Sequence, residues 1–171
     1  PFARSMINSG RLSNPCVYEG SPLNTPDDPA DAFTIDQRPG AVCKDAEIAI
    51  QGQAAWWLRQ LGDSFVVVVA VGQELAQDHL FMVKIATLKA LADCRVILID
   101  APEALGSVLG VTMVQDVQGY LHERLDLRPE TTYLIRPDQH VAARWRCLTP
   151  AAVHQAMQQA LGFEWEGLEH E

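Results

Sequence analysis

Residues 131–146 read TTYLIRPDQHVAARWR, two short β-strands joined by a polar turn. Tyr133–Ile135 is a β-rich, largely apolar run, and Pro137-Asp138-Gln139-His140 carries turn chemistry. Val141–Trp145 then resumes extended structure. The strongest helix signal in the chain follows directly. Thr149 stands as its cap, Pro150 opens its first turn, and Val153, Ala156, Met157, Ala160 and Leu161 form one stripe before Gly162.

Upstream of this ending, strands and helices alternate. Ala46–Ile50 is a first strand and Gln53–Leu61 (QAAWWLRQL) a helix stopped by Gly62. Phe65–Val71 is apolar at every position, as a central strand covered on both faces should be. Asp78 caps a helix running to about Ala92, with Leu80, Val83, Thr87, Leu88 and Leu91 at helical spacing. Arg95–Ile99 (RVILI) is a second central strand, and Asp116–Leu125 a short helix with Val117, Tyr120, Leu121 and Leu125 inward. The order β-α-β-α-β-α-β-β-α is the layout of a thioredoxin-like α/β fold, a mixed sheet with helices on both faces. Before it, residues 1–44 form an extended N-terminal arm, punctuated by Pro15, Pro22, Pro26, Pro29 and Pro39. Leu12, Val17, Leu23 and Phe33 give this arm apolar handles for a protein surface, and the domain proper occupies 45–171.

Composition narrows the function. The 171 residues suffice for one core-forming domain with a long extension. A net charge of −9, with 13 basic residues and no Lys/Arg cluster, argues against a nucleic-acid partner. No apolar run approaches the ~20 residues of a membrane span, and the N-terminus shows no charged-then-apolar signal pattern. The chain starts at Pro1 without Met, so a piece of a longer polypeptide is expected, with a start at Met6 as the alternative. Cys16, Cys43, Cys94 and Cys147 lie 27, 51 and 53 residues apart, with neither C-x-x-C nor zinc-site spacing. Unpaired thiols in a cytoplasmic protein are the expectation.

A working thioredoxin places C-x-x-C at the start of the helix after its second strand, where the helix N-terminus lowers the pKa of the attacking thiol. Here that segment is Val71-Gly72-Gln73-Glu74-Leu75-Ala76, without cysteine. Thr131 stands where thioredoxins keep a cis-proline, and Pro129 comes two residues early. Cys43, beside Lys44, is the nearest approach to an activated thiol, and Cys94 ends a helix as a buried residue. His79, His122, His140, His154 and His170 are scattered without H-x-x-x-H spacing. His140 reads as a turn spacer, and Asp100 at the end of RVILID as a cap before Pro102 more readily than as a ligand group. Trp56 and Trp57, adjacent in sequence, point apart, so one can enter the core while the other faces outward. No G-x-G-x-x-G or P-loop occurs. Catalytic, cofactor-binding and metal-ligating residues are all expected to be absent.

Three stretches carry a family likeness. They are Ser9-Gly10-Arg11-Leu12-Ser13 with Pro15 and Ser21–Pro26 (SPLNTP); Arg38-Pro39-Gly40-Ala41 with Asp45-Ala46; and Leu134–Val141 within the hairpin. In order and content they resemble the C-terminal region of FAD-dependent aromatic hydroxylases, the phenol hydroxylase and 3-(3-hydroxyphenyl)propionate hydroxylase kind. The resemblance implies a thioredoxin-like domain that has lost its redox cysteines, following FAD- and substrate-binding domains of the same polypeptide. It implies FAD and NAD(P)H for the parent enzyme and no cofactor in this chain. The implied role is non-catalytic, structural support or homodimer formation. The alternatives are a stand-alone thioredoxin-fold thiol redox protein using Cys43 or Cys94, or a partner-binding module using the outward tryptophan.

Overall fold

Every residue of Val66–Ala70 is buried, which requires protein on both faces of the strand. The structure, a computed structural model, describes residues 16–34, 36–72, 74–102, 105–106 and 109–163. The Ser9–Pro15 stretch, the apolar handle at Leu12, Gln73 and His170 lie outside these residues. The described elements are β1 (Glu47–Ile50), β2 (Gln53–Trp56), β3 (Val66–Ala70), α1 (His79–Leu91), β4 (Arg95–Ile99), β5 (Thr112–Val114), α2 (Tyr120–Leu125), β6 (Thr132–Ile135), β7 (Val141–Trp145) and α3 (Pro150–Ala160). The main sheet has the order β5-β4-β3-β6-β7. β3, β4 and β5 run parallel, while β6 and β7 are antiparallel to their neighbours.

Alternation along the strands divides the core in two. Val67 and Val69 of β3, Val96 and Leu98 of β4, and Leu134 of β6 pack against Phe81, Ile85 and Leu88 of α1 and Val153, Ala156 and Met157 of α3. The intervening residues, Val66, Val68, Ile97, Ile99, Tyr133 and Ile135, face the other way. They meet Ile48 of β1, Trp57, and Leu121 and Leu125 of α2. The sheet is mixed and has helices on both faces, as the sequence led us to expect.

Three expectations need correction. The segment expected as a helix over Gln53–Leu61 is instead β2 followed by a 3-10 turn, Trp57–Gln60. Gln51 and Gly52 both take positive φ, 51° and 76°. That conformation suits a tight two-residue hairpin, so β2 folds back on β1 and pairs Ala55 with Ile48 and Ala54 with Ala49. Pairing with β1 overrides the helix propensity of Gln-Ala-Ala. The tryptophans still part company: Trp57 is 0% exposed and Trp56 47%. Second, β5 was not foreseen, and α2 begins at Tyr120 rather than Asp116, leaving Val117 and Tyr120 exposed. Asp116 instead caps this helix from outside, accepting the His122 N–H at 2.7 Å.

The third correction concerns phase. α1 buries Phe81, Ile85 and Leu88, while Leu80, Val83 and Leu91 of the expected stripe are exposed. Its cap, Asp78, is where the sequence placed it, accepting the Leu80 N–H at 2.8 Å. Thr149 occupies the cap position of α3 but makes no side-chain capping bond, and Leu161 is exposed. The two sides of α1 differ measurably. Ile85→Ala should lower the unfolding free energy by about 2–5 kcal/mol in urea titrations, whereas Leu80→Ser should stay within about 0.5 kcal/mol of the parent.

Candidate functional site

In the thioredoxin layout chemistry sits where β3 leads into α1. Here that connection runs from Val71 to Asp78 and includes a 3-10 turn over Leu75–Gln77. Across from it, the Glu130 N–H donates to the Ala70 carbonyl at 2.9 Å, and Ala70 donates to the Thr131 carbonyl at 3.0 Å. Pro129 sits so close that a Cβ at Gly72 would lie 3.2 Å from its ring. Thr131, at the former cis-proline position, is buried, and its hydroxyl accepts the Arg128 N–H at 3.0 Å. Lys84 of α1 is ion-paired with Glu130. The tip is occupied by a lysine–glutamate pair, a proline and a threonine committed to internal bonds.

Cys43, Cys94 and Cys147 sit in environments that disfavour the thiolate. Burial, with the Asp138 charge adding to it, pushes Cys43 from an ordinary 9.0 up to about 12. Lys44 pairs with Asp36 at 3.3 Å instead of activating its neighbour. Burial and then Asp93 push Cys94, which is half-buried, up to about 11. Cys147 is exposed near the tip, and burial followed by the Glu130 charge raises it too. Activated cysteines need nearby positive charge.

His122, His140 and Asp100 make local structural contacts. His140 packs its ring 4.8 Å from that of Tyr18 and places Nδ1 3.0 Å from the Asp138 carbonyl. The Asp100 carboxylate accepts the Asp116 N–H at 2.8 Å. His122 Nδ1 lies 3.0 Å from Asp116 and 3.5 Å from Asp100. Among the described residues, no three His, Cys, Asp or Glu side chains gather as metal ligands. No described helix is long and apolar enough to cross a membrane.

The most elaborate side-chain constellation was missed in the sequence. Arg144 and Arg146, two apart on and just beyond β7, project on one side and seize the arm. Arg144, with its side chain 1% exposed, holds Asp27 through two bonds of 2.9 and 2.7 Å. The same guanidinium donates to the carbonyls of Asp36 at 2.7 Å and Thr34 at 2.8 Å. Arg146 donates to the Asp31 carbonyl at 3.0 Å and pairs with Asp126. Both guanidiniums lie over the Phe33 ring, 4.4 and 3.7 Å from its centre. That ring meets Tyr133 edge-on at 6.0 Å.

Burial alone would lower the Arg144 pKa, but Asp27 and Tyr133 outweigh it and the pKa is raised. Burial pushes Tyr133 up to about 12 despite Arg144. For Asp126, burial works upward and the bonds from Arg146 and Thr34 prevail, lowering it. The donors of both arginines are directed into the protein, so this constellation fastens the arm. A signal was available: arginines two apart in a strand share a face.

The arm also extends the sheet. Val141 donates to Ala41 at 2.9 Å, Gly40 donates to Val141 at 2.8 Å, and Thr25 donates to Ala142 at 2.9 Å. Gly40 has φ 91°, and any Cβ there would lie 2.4 Å from the Tyr18 carbonyl oxygen. Only glycine fits.

No family model and no curated protein matches the chain. Solved structures do. The flavin-dependent monooxygenase PieE, in complex with FAD and substrate, superposes with TM-score 0.62 at 22% identity, covering 92% of this chain and 27% of that one. Aklavinone-11 hydroxylase, with FAD and aklavinone, gives TM-score 0.62 at 16% identity, covering 86% and 26%. A thioredoxin-like protein from Bacteroides caccae gives 0.51 at 16% identity, covering 71% and 50%. The chain spans about a quarter of the length of the two monooxygenases. The fold is thioredoxin-like.

Arg144→Met leaves Asp27 and two carbonyls without donors. It should cost about 3–5 kcal/mol and expose the Phe33–Thr34 bond to chymotrypsin in limited digestion. The thiols set a second expectation. An unfolded Cys43 ionises near 9.0 while the folded one stays protonated to about 12, so stability should fall as pH rises between those values. At pH 8, Ellman's reagent should titrate exposed Cys16 and Cys147 in the native chain and reach Cys43 only after denaturation.

Proposed function

We propose that this chain is the C-terminal thioredoxin-like domain of a FAD- and NAD(P)H-dependent aromatic-ring monooxygenase. Its role is structural, and it leaves the chemistry to domains preceding it in the polypeptide. The observation that carries this reading is the extent of the monooxygenase superpositions. Residues 45–171 make up only about three quarters of the 171, so a match covering 92% reaches well into the first 44. The thioredoxin-like neighbour, at 71%, is accounted for by the domain alone. What the chain has in common with the flavoproteins therefore includes the arm, held here by Arg144 and Arg146.

On this reading residues 1–44 are the junction from a preceding FAD- and substrate-binding body, and residues 45–171 are the supporting domain. Homodimer formation and a cytoplasmic location accompany the proposal. The FAD and aromatic substrates belong to the preceding domains. A second reading, a stand-alone thiol protein or a partner-binding module, has the likeness to the thioredoxin-like protein in its favour. Its thiol version would have to work with Cys43 and Cys94, whose surroundings hold them protonated at neutral pH.

The decisive material is the polypeptide that contains this chain. Purified whole, it should carry the absorption spectrum of bound flavin and oxidise NAD(P)H faster when a phenolic compound is added. A polypeptide without flavin, or insulin reduction by this chain that Cys43→Ser abolishes, would overturn the proposal. Light scattering tests the dimer separately: a strict monomer at the highest soluble concentration removes that part.

A further inference from the structure

α1 departs from the usual construction of a surface helix. Its inner side buries Phe81, Ile85 and Leu88. The outer side of such a helix is ordinarily polar, yet Leu80 is 61% exposed, Val83 45% and Leu91 44%. Ala86, Thr87 and Ala90 are exposed among them. The helix contains no Asp or Glu, and its two lysines are held by the chain itself. Lys84 pairs with Glu130, and Lys89 donates to the carbonyls of Leu109 at 2.5 Å and Gly110 at 3.2 Å. α3, packed beside it, is built differently: Val153, Ala156 and Met157 are buried and Gln155 is exposed. A helix apolar on both sides belongs between two layers of protein.

We propose that this face is a homodimer interface, in which α1 docks antiparallel against α1 of a second copy. The order of residue sizes selects that occupant. Leu80, Val83, Thr87 and Ala90 are spaced three, four and three residues apart, the seam of a two-helix packing. The larger two come first and the smaller two last. A two-fold axis at the level of Ile85 therefore sets Leu80 opposite Ala90 and Val83 opposite Thr87. Each large side chain meets a small one, and the symmetry repeats the match on the other side of the axis. Antiparallel helices also oppose their dipoles favourably. With Ala86 and Leu91 alongside, the seam presents roughly 450 Å² per copy, or about 900 Å² for the pair, the size class of a weak, reversible dimer. This inference rests on the homodimer part of the proposed function and adds its surface and geometry.

The test uses the whole chain. Sedimentation velocity over a concentration series should show a monomer–dimer equilibrium in the upper micromolar range. Each copy carries −9 and the seam residues are uncharged, so added salt should tighten association by screening the repulsion. Thr87→Glu places a carboxylate inside the seam and should weaken association at least tenfold. Leu80→Ala opens a hole and Ala90→Leu sets leucine against leucine, so each should weaken it about tenfold. The double variant exchanges large for small and should recover to within about threefold of the parent. Leu80, Thr87 and Ala90 are exposed in the monomer, so circular dichroism of every variant should match the parent. A strict monomer at all concentrations, a dimer indifferent to Thr87→Glu, or a double variant no better than either single would each overturn the proposal. The flavin measurement is separate. A monomeric chain whose parent polypeptide carries flavin removes this interface alone, and a dimer through α1 in a parent without flavin removes the flavoprotein reading alone.

Discussion

Val66–Ala70 buries both rows of its side chains, and everything else in the molecule answers to that demand. A strand that is apolar on both faces is stable in water only while each face is covered. The α1–α3 face is covered conventionally, by two helices docked through Phe81, Ile85, Val153 and Met157. Among the described residues, the α-helical cover of the opposite face is the six-residue α2. The rest of its cover comes from the β1–β2 hairpin, buried Trp57 and Phe33 of the arm packed on the cluster. Among its described residues the arm has one 3-10 turn, Pro29–Asp31, and no named strand, and single backbone bonds would hold it weakly. Arg144 and Arg146 supply what is missing, charge-assisted bonds from guanidinium groups to carboxylates and to backbone carbonyls of the arm.

The same construction explains the quiet tip of the domain. Thiol chemistry in this layout needs a cysteine at a helix start and positive charge beside it. Here the helix start has no cysteine, Lys84 is absorbed by Glu130, and the cysteine nearest the tip faces that glutamate. Residues around the tip serve packing: Pro129 against Gly72, and Thr131 inside its own turn. The scaffold has two unusual margins: an arm bound at one sheet edge, and an opening at the other.

Much of the fold was legible in the sequence because its signals were local. The FVVVVAV and RVILI runs, the cap at Asp78, Pro150 at the start of the last helix, and the strands either side of Pro137 all appear where their chemistry predicts. The failures share one cause: in each a partner distant in sequence decided the outcome. Gln-Ala-Ala reads as helix until Ile48 and Ala49 are placed beside it. Thr112–Val114, though β-branched at both ends, is too short to read as a strand and becomes one by joining β4. The phase of α1 hinges on which side meets the sheet, and Leu80, Val83 and Leu91 are as apolar as Phe81, Ile85 and Leu88. The arginine clamp was hidden for the same reason, since Asp27 and Arg144 lie 117 residues apart. The lack of a cysteine in Val71–Ala76 is a property of residue type alone and needed no partner to be seen.

That separation also sets a timetable. A chain synthesised at about 5–20 residues per second delivers Arg144 between about 6 and 23 seconds after Asp27. Until then the arm has neither its guanidinium nor the β7 edge to lie on. β1 through β5 can already assemble, and the arm trails as loose chain with Phe33 uncovered. A segment made before the domain it lies on is among the last to settle, and its settling is the act that seals the sheet.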